Sequence, residues 1–264
     1  MNNLADLVRA LVIDGGSAIL AVDEARMLHA GRGREAAAAQ ASSAPTSVAV
    51  IPLIGPVTNR TSWYGPGLDR FEAALAQALA NPDVGAIVLD VDSPGGTYAG
   101  TPEAANAVRL AAAAKPVTAV VDSLAASAAY WIASQAGQIV VTPSADVGSI
   151  GVLAVHHDFS AALEADGIKT TIVRSTPYKA EGNPFEPLSA EALGAWQADV
   201  DRAHGEFIRT VAEGRKVSQQ RVREDFGQGR TVGAQRAVQL GMADRIGTLA
   251  EVIGGLRFRR RAAF

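Results

Sequence analysis

From residue 47 onward, short apolar runs alternate with segments whose apolar positions recur every three or four residues. The runs predict strands and the recurring positions predict helices. "SVAVIPLIGPV" (47–57), "GAIVLDV" (85–91), "PVTAVV" (116–121), "QIVVT" (138–142), "IGVLAVH" (150–156) and "KTTIVR" (169–174) read as strands. "GLDRFEAALAQALANP" (67–82) reads as a helix, with Leu68, Phe71, Leu75 and Leu79 on one face. "TPEAANAVRLAAAAK" (101–115) is a second helix, with Pro102 suited to its first turn. A third starts near Ser127 and runs to about Ala136, and 188–214 is mainly helical. Strands alternating with helices predict an α/β domain, and near-continuous apolar strands predict a largely parallel sheet covered on both faces.

The ends of the chain break this pattern. Leu4, Val8, Leu11 and Val12 have helical spacing in a piece too short to form a core alone. "GRGREAAAAQASSAPTS" (31–47) is rich in Gly, Ala and Ser and reads as a linker. The expected organisation is an amphipathic segment (1–30), a linker (31–46), one domain (47–256) and a basic tail (257–264) ending "RFRRRAAF".

Composition narrows the function classes. With no cysteine there is no disulfide, thiolate metal site or cysteine nucleophile. A net charge of −3 argues against a general nucleic-acid binder. The amino terminus reads as lacking a secretory signal, and no stretch reaches the roughly 18 uncharged apolar residues of a spanning helix. A cytoplasmic location fits.

Two segments carry candidate chemistry. "LDVDSPGGTYAG" (89–100) places two glycines where a buried strand ends, and ligands of open α/β sheets sit at such ends. A plain β–α turn also favours Gly and Pro. The spacing is not that of a dinucleotide or phosphate loop. "VDSLAASAAYW" (121–131) sets Ser127 among alanines near a helix start, where free N–H groups can hold an oxyanion. Taken alone, that run is better explained as a small-residue helix packed on the sheet.

A serine nucleophile needs a base. His29 precedes the linker, and His204 lies on the long helix. His156 and His157 end a strand and are either solvated or within reach of a site. Of the four lysines, Lys115 ends a helix, Lys169 starts a strand and Lys216 is in a polar helix. Lys179 sits in the irregular "STPYKAEGNPF" after strand 169–174, and a desolvated lysine can act as a base. A surface-loop lysine is the other reading.

In order, "DSPGG", "DSLAASAAYWIAS", "ADVGSIGVL", "TIVRSTPYKAEGNPF" and "GRTVGAQRAVQLGMADRIG" resemble the signal peptide peptidase A family of serine proteases over roughly residues 47–253. That resemblance implies the Clp protease/crotonase-like fold and a Ser–Lys dyad, with Ser127 as nucleophile and Lys179 as base. It also implies oxyanion donors at the Gly96 and Ala128 backbone N–H groups, and a lysine-orienting hydroxyl at Ser149. It implies a polypeptide substrate, no cofactor or metal, and assembly into a ring-shaped homo-oligomer, with 188–226 and 230–247 as contact surfaces.

"IGPVTNRTSWYGPG" (54–67) looks like the phage head maturation members, which cleave capsid and scaffold proteins within the prohead. The expected activity is therefore that of a capsid-maturation serine endopeptidase, located in the host cytoplasm or the prohead. The alternatives are a bacterial cytoplasmic signal-peptide-peptidase-like enzyme, a crotonase-like acyl-CoA enzyme and a non-catalytic shell protein.

Overall fold

The computed structural model describes residues 19–22, 47–61 and 67–261. Most of the amino-terminal segment and linker, and residues 262–264 of the tail, lie outside the described residues. The chain divides into two compact units.

The larger unit comprises Leu20–Val152 and Ala203–Phe264. Its strands are β1 (Ile19–Val22, mostly in this unit), β2 (Ser47–Ile54), β3 (Val84–Ser93), β4 (Gly95–Thr97), β5 (Val117–Ala126), β6 (Gln138–Val141), β7 (Asp146–Gly148), β9 (Thr231–Gly233) and β10 (Arg245–Ile246). Five strands run parallel in the order β10-β6-β5-β3-β2. β5 pairs with β6 through Thr118–Val121 and then with β7 through Leu124–Ala126. β9 closes antiparallel on β7. The fold is thus of the expected class, a mainly parallel sheet flanked by helices.

Both sheet faces are apolar because both are covered. Ile87, Leu89 and Val91 of β3 and Val117, Ala119 and Val121 of β5 face one core. Against it pack α1 (Leu68–Ala80), α2 (Thr101–Ala114), α3 (Ala128–Ala133) and the carboxyl-terminal part of α5 (Ala190–Arg215). The alternate positions Val88, Val120 and Val140 face Val252 of α6 (Leu249–Arg261). The α6 backbone stays helical to Arg261, into the stretch read from the sequence as a tail. Lys115 closes α1 rather than serving any reaction: its Nζ donates to the Ala78 and Asn81 carbonyls at 2.8 Å each.

In the second unit, Leu153–Arg202 with Met1–Ile19, the described part contains β8 (Leu153–Ala154), α4 (Ser160–Ala165) and the first half of α5. Two expected strands fail here. Of 150–156 only Leu153–Ala154 is extended in a ladder, and 169–174 forms no strand. The reason is physical: strand preference reflects packing on a half-buried pleated surface. Here Lys169, Thr170 and Thr171 are exposed and Val173 is 95% exposed. Among the described residues no helix is long and apolar enough to cross a membrane.

Candidate active site

Ser127 is the hinge between β5 and α3. Strand β5 extends five residues beyond its expected end, to Ala126, so the serine follows the ladder directly. Its backbone takes φ 53°, ψ −122°, the geometry of the first central residue of a type II′ turn, a place that favours glycine. Holding a side chain there costs on the order of 1–3 kcal/mol. The surroundings fix it on both sides. The Ser127 N–H donates to the Gly148 carbonyl at 2.7 Å, and the Ser127 carbonyl accepts the Trp131 N–H at 2.9 Å, opening the helix.

The alanines beside it are packing residues in this state. Ala125, Ala126, Ala128 and Ala129 are fully buried, and all but Ala126 belong to the main core. The aromatics that follow are anchors: Tyr130 donates its hydroxyl to the Met242 carbonyl at 3.0 Å, and burial pushes its phenol pKa up. Trp131 stacks on Phe207 with ring centroids 4.4 Å apart. Ser127 itself is 1% exposed, and its Oγ has no hydrogen-bond partner. A buried hydroxyl without a partner is uncommon, because it forfeits its bonds to water.

The DSPGG turn lies on the neighbouring strand. Ser93 is level with Ala125 across the β3–β5 ladder, two residues before Ser127. Ser93 Oγ donates to the Gly55 carbonyl at 2.6 Å and accepts the Gly95 N–H at 3.2 Å. That serine shapes the turn and was missed as a site residue; its Ser-x-Gly turn pattern was the available signal. Gly96 must be glycine, since a Cβ there would lie 1.8 Å from the Val57 carbonyl oxygen.

Ala128 is the first residue of α3, where N–H groups lack partners within the helix. Ser149 is half-buried with φ 53°, and its N–H donates to the Arg230 carbonyl at 3.0 Å. Gly148, also missed, carries the carbonyl that holds Ser127.

Ser127, Ala128, Gly96 and Ser149 therefore share one unit. The first two are consecutive, Gly96 lies in β4, and Ser149 directly follows β7. Lys179 belongs to the other unit. It is exposed in the turn after Pro177, with its N–H directed to the Thr176 carbonyl at 3.3 Å. In that same unit, His156 Nε2 bonds the Asn183 carbonyl at 2.9 Å, and its ring meets Trp196 edge-on. Among the described residues no group of three His, Cys, Asp or Glu side chains could hold a metal ion.

This turn geometry can present a serine hydroxyl beside backbone donors, and comparison with known proteins points the same way. The model of "Peptidase family S49" matches residues 109–260. Capsid assembly protease C of Escherichia phage lambda is 32% identical over 215 residues, covering 80% of this chain and 48% of that protein. The head-tail preconnector protein GP5 of Enterobacteria phage P21 is 35% identical over 170 residues, covering 62% and 34% respectively. Protease 4 of Haemophilus influenzae is 28% identical over 216 residues, covering 79% and 34%. The chain spans about half or less of the length of these relatives. The family match takes in more than half of the sequence, including α3, β7 and the turn that holds Lys179: the chain belongs to peptidase family S49.

Proposed function

We propose that this protein is a serine endopeptidase with a Ser127–Lys179 dyad, and that residues 47–256 form its catalytic domain. Neutral Lys179 takes the Ser127 proton as Oγ bonds to the scissile carbonyl carbon. The Gly96 and Ala128 N–H groups hold the resulting oxyanion, and Ser149 orients the lysine. The C–N bond then breaks, Lys179 returns the proton to the leaving amine, and water releases the acyl group from Ser127. The observation that carries this reading is the buried, unpartnered Ser127 hydroxyl on a strained strand-to-helix turn. Activated nucleophiles are held in such turns elsewhere.

The substrate class follows the relatives. One bears the name capsid assembly protease, which favours capsid and scaffold polypeptides over signal-peptide remnants. Assembly of copies into a ring is part of the proposal, and the exposed apolar side chains of Ile168, Val173 and Leu193 give it available surface. The test is labelling with a serine-reactive fluorophosphonate, mapped by mass spectrometry. Labelling at Ser127 that is lost in Ser127→Ala and strongly slowed in Lys179→Ala is expected. Peptide hydrolysis unchanged in both variants would sink the dyad and favour a crotonase-like use of the same backbone donors.

A further inference from the structure

Strand β4 has two edges, and one of them belongs to Val57. Val57 donates its N–H to the Gly95 carbonyl at 2.7 Å, and Thr97 donates to the Val57 carbonyl at 2.9 Å. Successive residues of a strand direct their polar groups to opposite sides. With Gly95 and Thr97 turned to Val57, the N–H and carbonyl of Gly96 face the other edge. That edge is taken by β1, running antiparallel, with Leu20 opposite Thr97, Ala21 opposite Gly96 and Val22 opposite Gly95. Opposed residues whose polar groups face each other exchange both N–H···O bonds. The Ala21 carbonyl is thereby aimed at the Gly96 N–H.

We propose that Ile19–Val22 is a resident pseudosubstrate: an extended segment of the chain's own amino-terminal region occupying the edge on which a substrate strand pairs. The proposal rests on the roles given above to Gly96 and Ser127. An extended peptide that adds to a sheet edge is recognised through its main chain, and the position opposite the critical residue is read by size. Here that position holds alanine, within an uncharged run of four residues, "ILAV". The oxyanion donor is thus engaged by a carbonyl that belongs to the enzyme.

Two further observations fit a closed state. Ser127 is 1% exposed and its hydroxyl is buried. Gly96 is also pressed close to Val57, where a Cβ on it would lie 1.8 Å from the Val57 carbonyl oxygen. Substrate entry then requires β1 to leave, and the fraction of time it is away scales the apparent reactivity of the site.

The experiment compares the full chain with its Ala21→Pro variant, which loses the N–H that pairs with Gly96. Two readouts are taken: hydrogen exchange of the Gly95–Thr97 amides, and the rate of fluorophosphonate labelling at Ser127. In the variant the Gly96 amide is expected to lose protection and labelling to accelerate about tenfold, as for a site open about a tenth of the time in the parent. A synthetic peptide of residues 17–24 added in excess is expected to restore slow labelling. Equal Gly96 protection in both proteins overturns the pairing, and equal labelling rates with protection lost overturn the blocking role. Absence of labelling in both proteins overturns the nucleophile assignment, and the blocking role with it, whatever the exchange data show.

Discussion

The Ser127 amide and the Gly148 carbonyl meet at 2.7 Å, one residue past the last paired position of their two strands, Ala126 and Gly148. This bond lets a serine occupy backbone space that favours glycine. Gly148 is itself at φ 123° and Ser149 at φ 53°, and the Ser149 N–H is held by the Arg230 carbonyl, just before β9 begins. Strain at Ser127 is therefore balanced by a layered brace of β5, β7 and β9, all in the larger unit.

Replacing Gly148 by alanine tests the brace. The new Cβ would lie 2.8 Å from the Arg230 carbonyl oxygen and 3.2 Å from Met242 Cε, at a φ that side chains avoid. The expected cost is about 1–3 kcal/mol of stability, read as a lower urea midpoint with unchanged slope. Fluorophosphonate labelling should fall as well, because the Ser127 amide loses its fixed acceptor. A variant of parental stability and reactivity would show that the brace is dispensable.

Strain at Ser127 predicts opposite outcomes for two inactive variants. Ser127→Gly relieves the positive φ, whereas Ser127→Ala keeps it; both remove the unpartnered hydroxyl. After allowing for the entropy of glycine, about 0.5–1 kcal/mol, Ser127→Gly should be the more stable by roughly 1 kcal/mol. Neither should label. Chemical denaturation of the pair measures the difference, and an alanine variant as stable as the glycine variant would remove the case for stored strain.

The parallel sheet was legible because its strands are apolar on both faces and bounded by turn residues. Strand β5 was read too short since Asp122 and Ser123 interrupt its apolar run, and the ladder simply changes partner there from β6 to β7. Residues 169–174 were read as a strand from their β-branched residues. Composition cannot say whether a ladder partner exists, and none does among the described residues. Ser127 stood out by its setting among alanines, and those alanines are buried. Gly148 and Ser93 escaped notice because they act through a carbonyl and a turn hydroxyl. Gly96 was visible only as part of a glycine pair; what makes glycine obligatory there is Val57, 39 positions earlier in the chain.

Lys179→Arg separates a base from a mere positive charge. Arginine supplies a positive charge and comparable reach, but its very high pKa bars it from accepting the Ser127 proton. Under the proposed mechanism, Lys179→Arg should label no faster than Lys179→Ala, each reduced by at least 10²-fold, the usual range for losing a general base. Retained activity in the arginine variant would assign the residue to substrate binding instead.

The last prediction concerns acid stability and the Arg215–Asp244 pair. Arg215 holds both Asp244 oxygens, at 2.8 and 3.2 Å, and Asp244 also accepts the Ile139 N–H at 2.6 Å, joining the end of α5 to the start of β6. Burial alone would raise the Asp244 pKa. The Arg215 hydrogen bonds, the Ile139 N–H and the Arg215 charge outweigh it, so the carboxyl sits below its ordinary value of 3.8. A carboxylate with a depressed pKa contributes stability above its unfolded-state value, and that contribution fades as pH falls through the folded-state value. Asp244→Asn should therefore cost about 1–3 kcal/mol at pH 7, toward the lower end because Asp244 is 37% exposed. It leaves Arg215, only 7% exposed, without its counter-charge. As pH falls below 3.8 the gap between parent and variant should begin to narrow, and it closes once the pH passes below the folded-state value, where the parent carries a protonated Asp244 and loses the same charge. Paired urea titrations at pH 7 and pH 3 isolate this residue, since every other carboxylate titrates in both proteins. A gap of equal size at the two pH values would mean that geometry at Asp244, and not its charge, holds the junction.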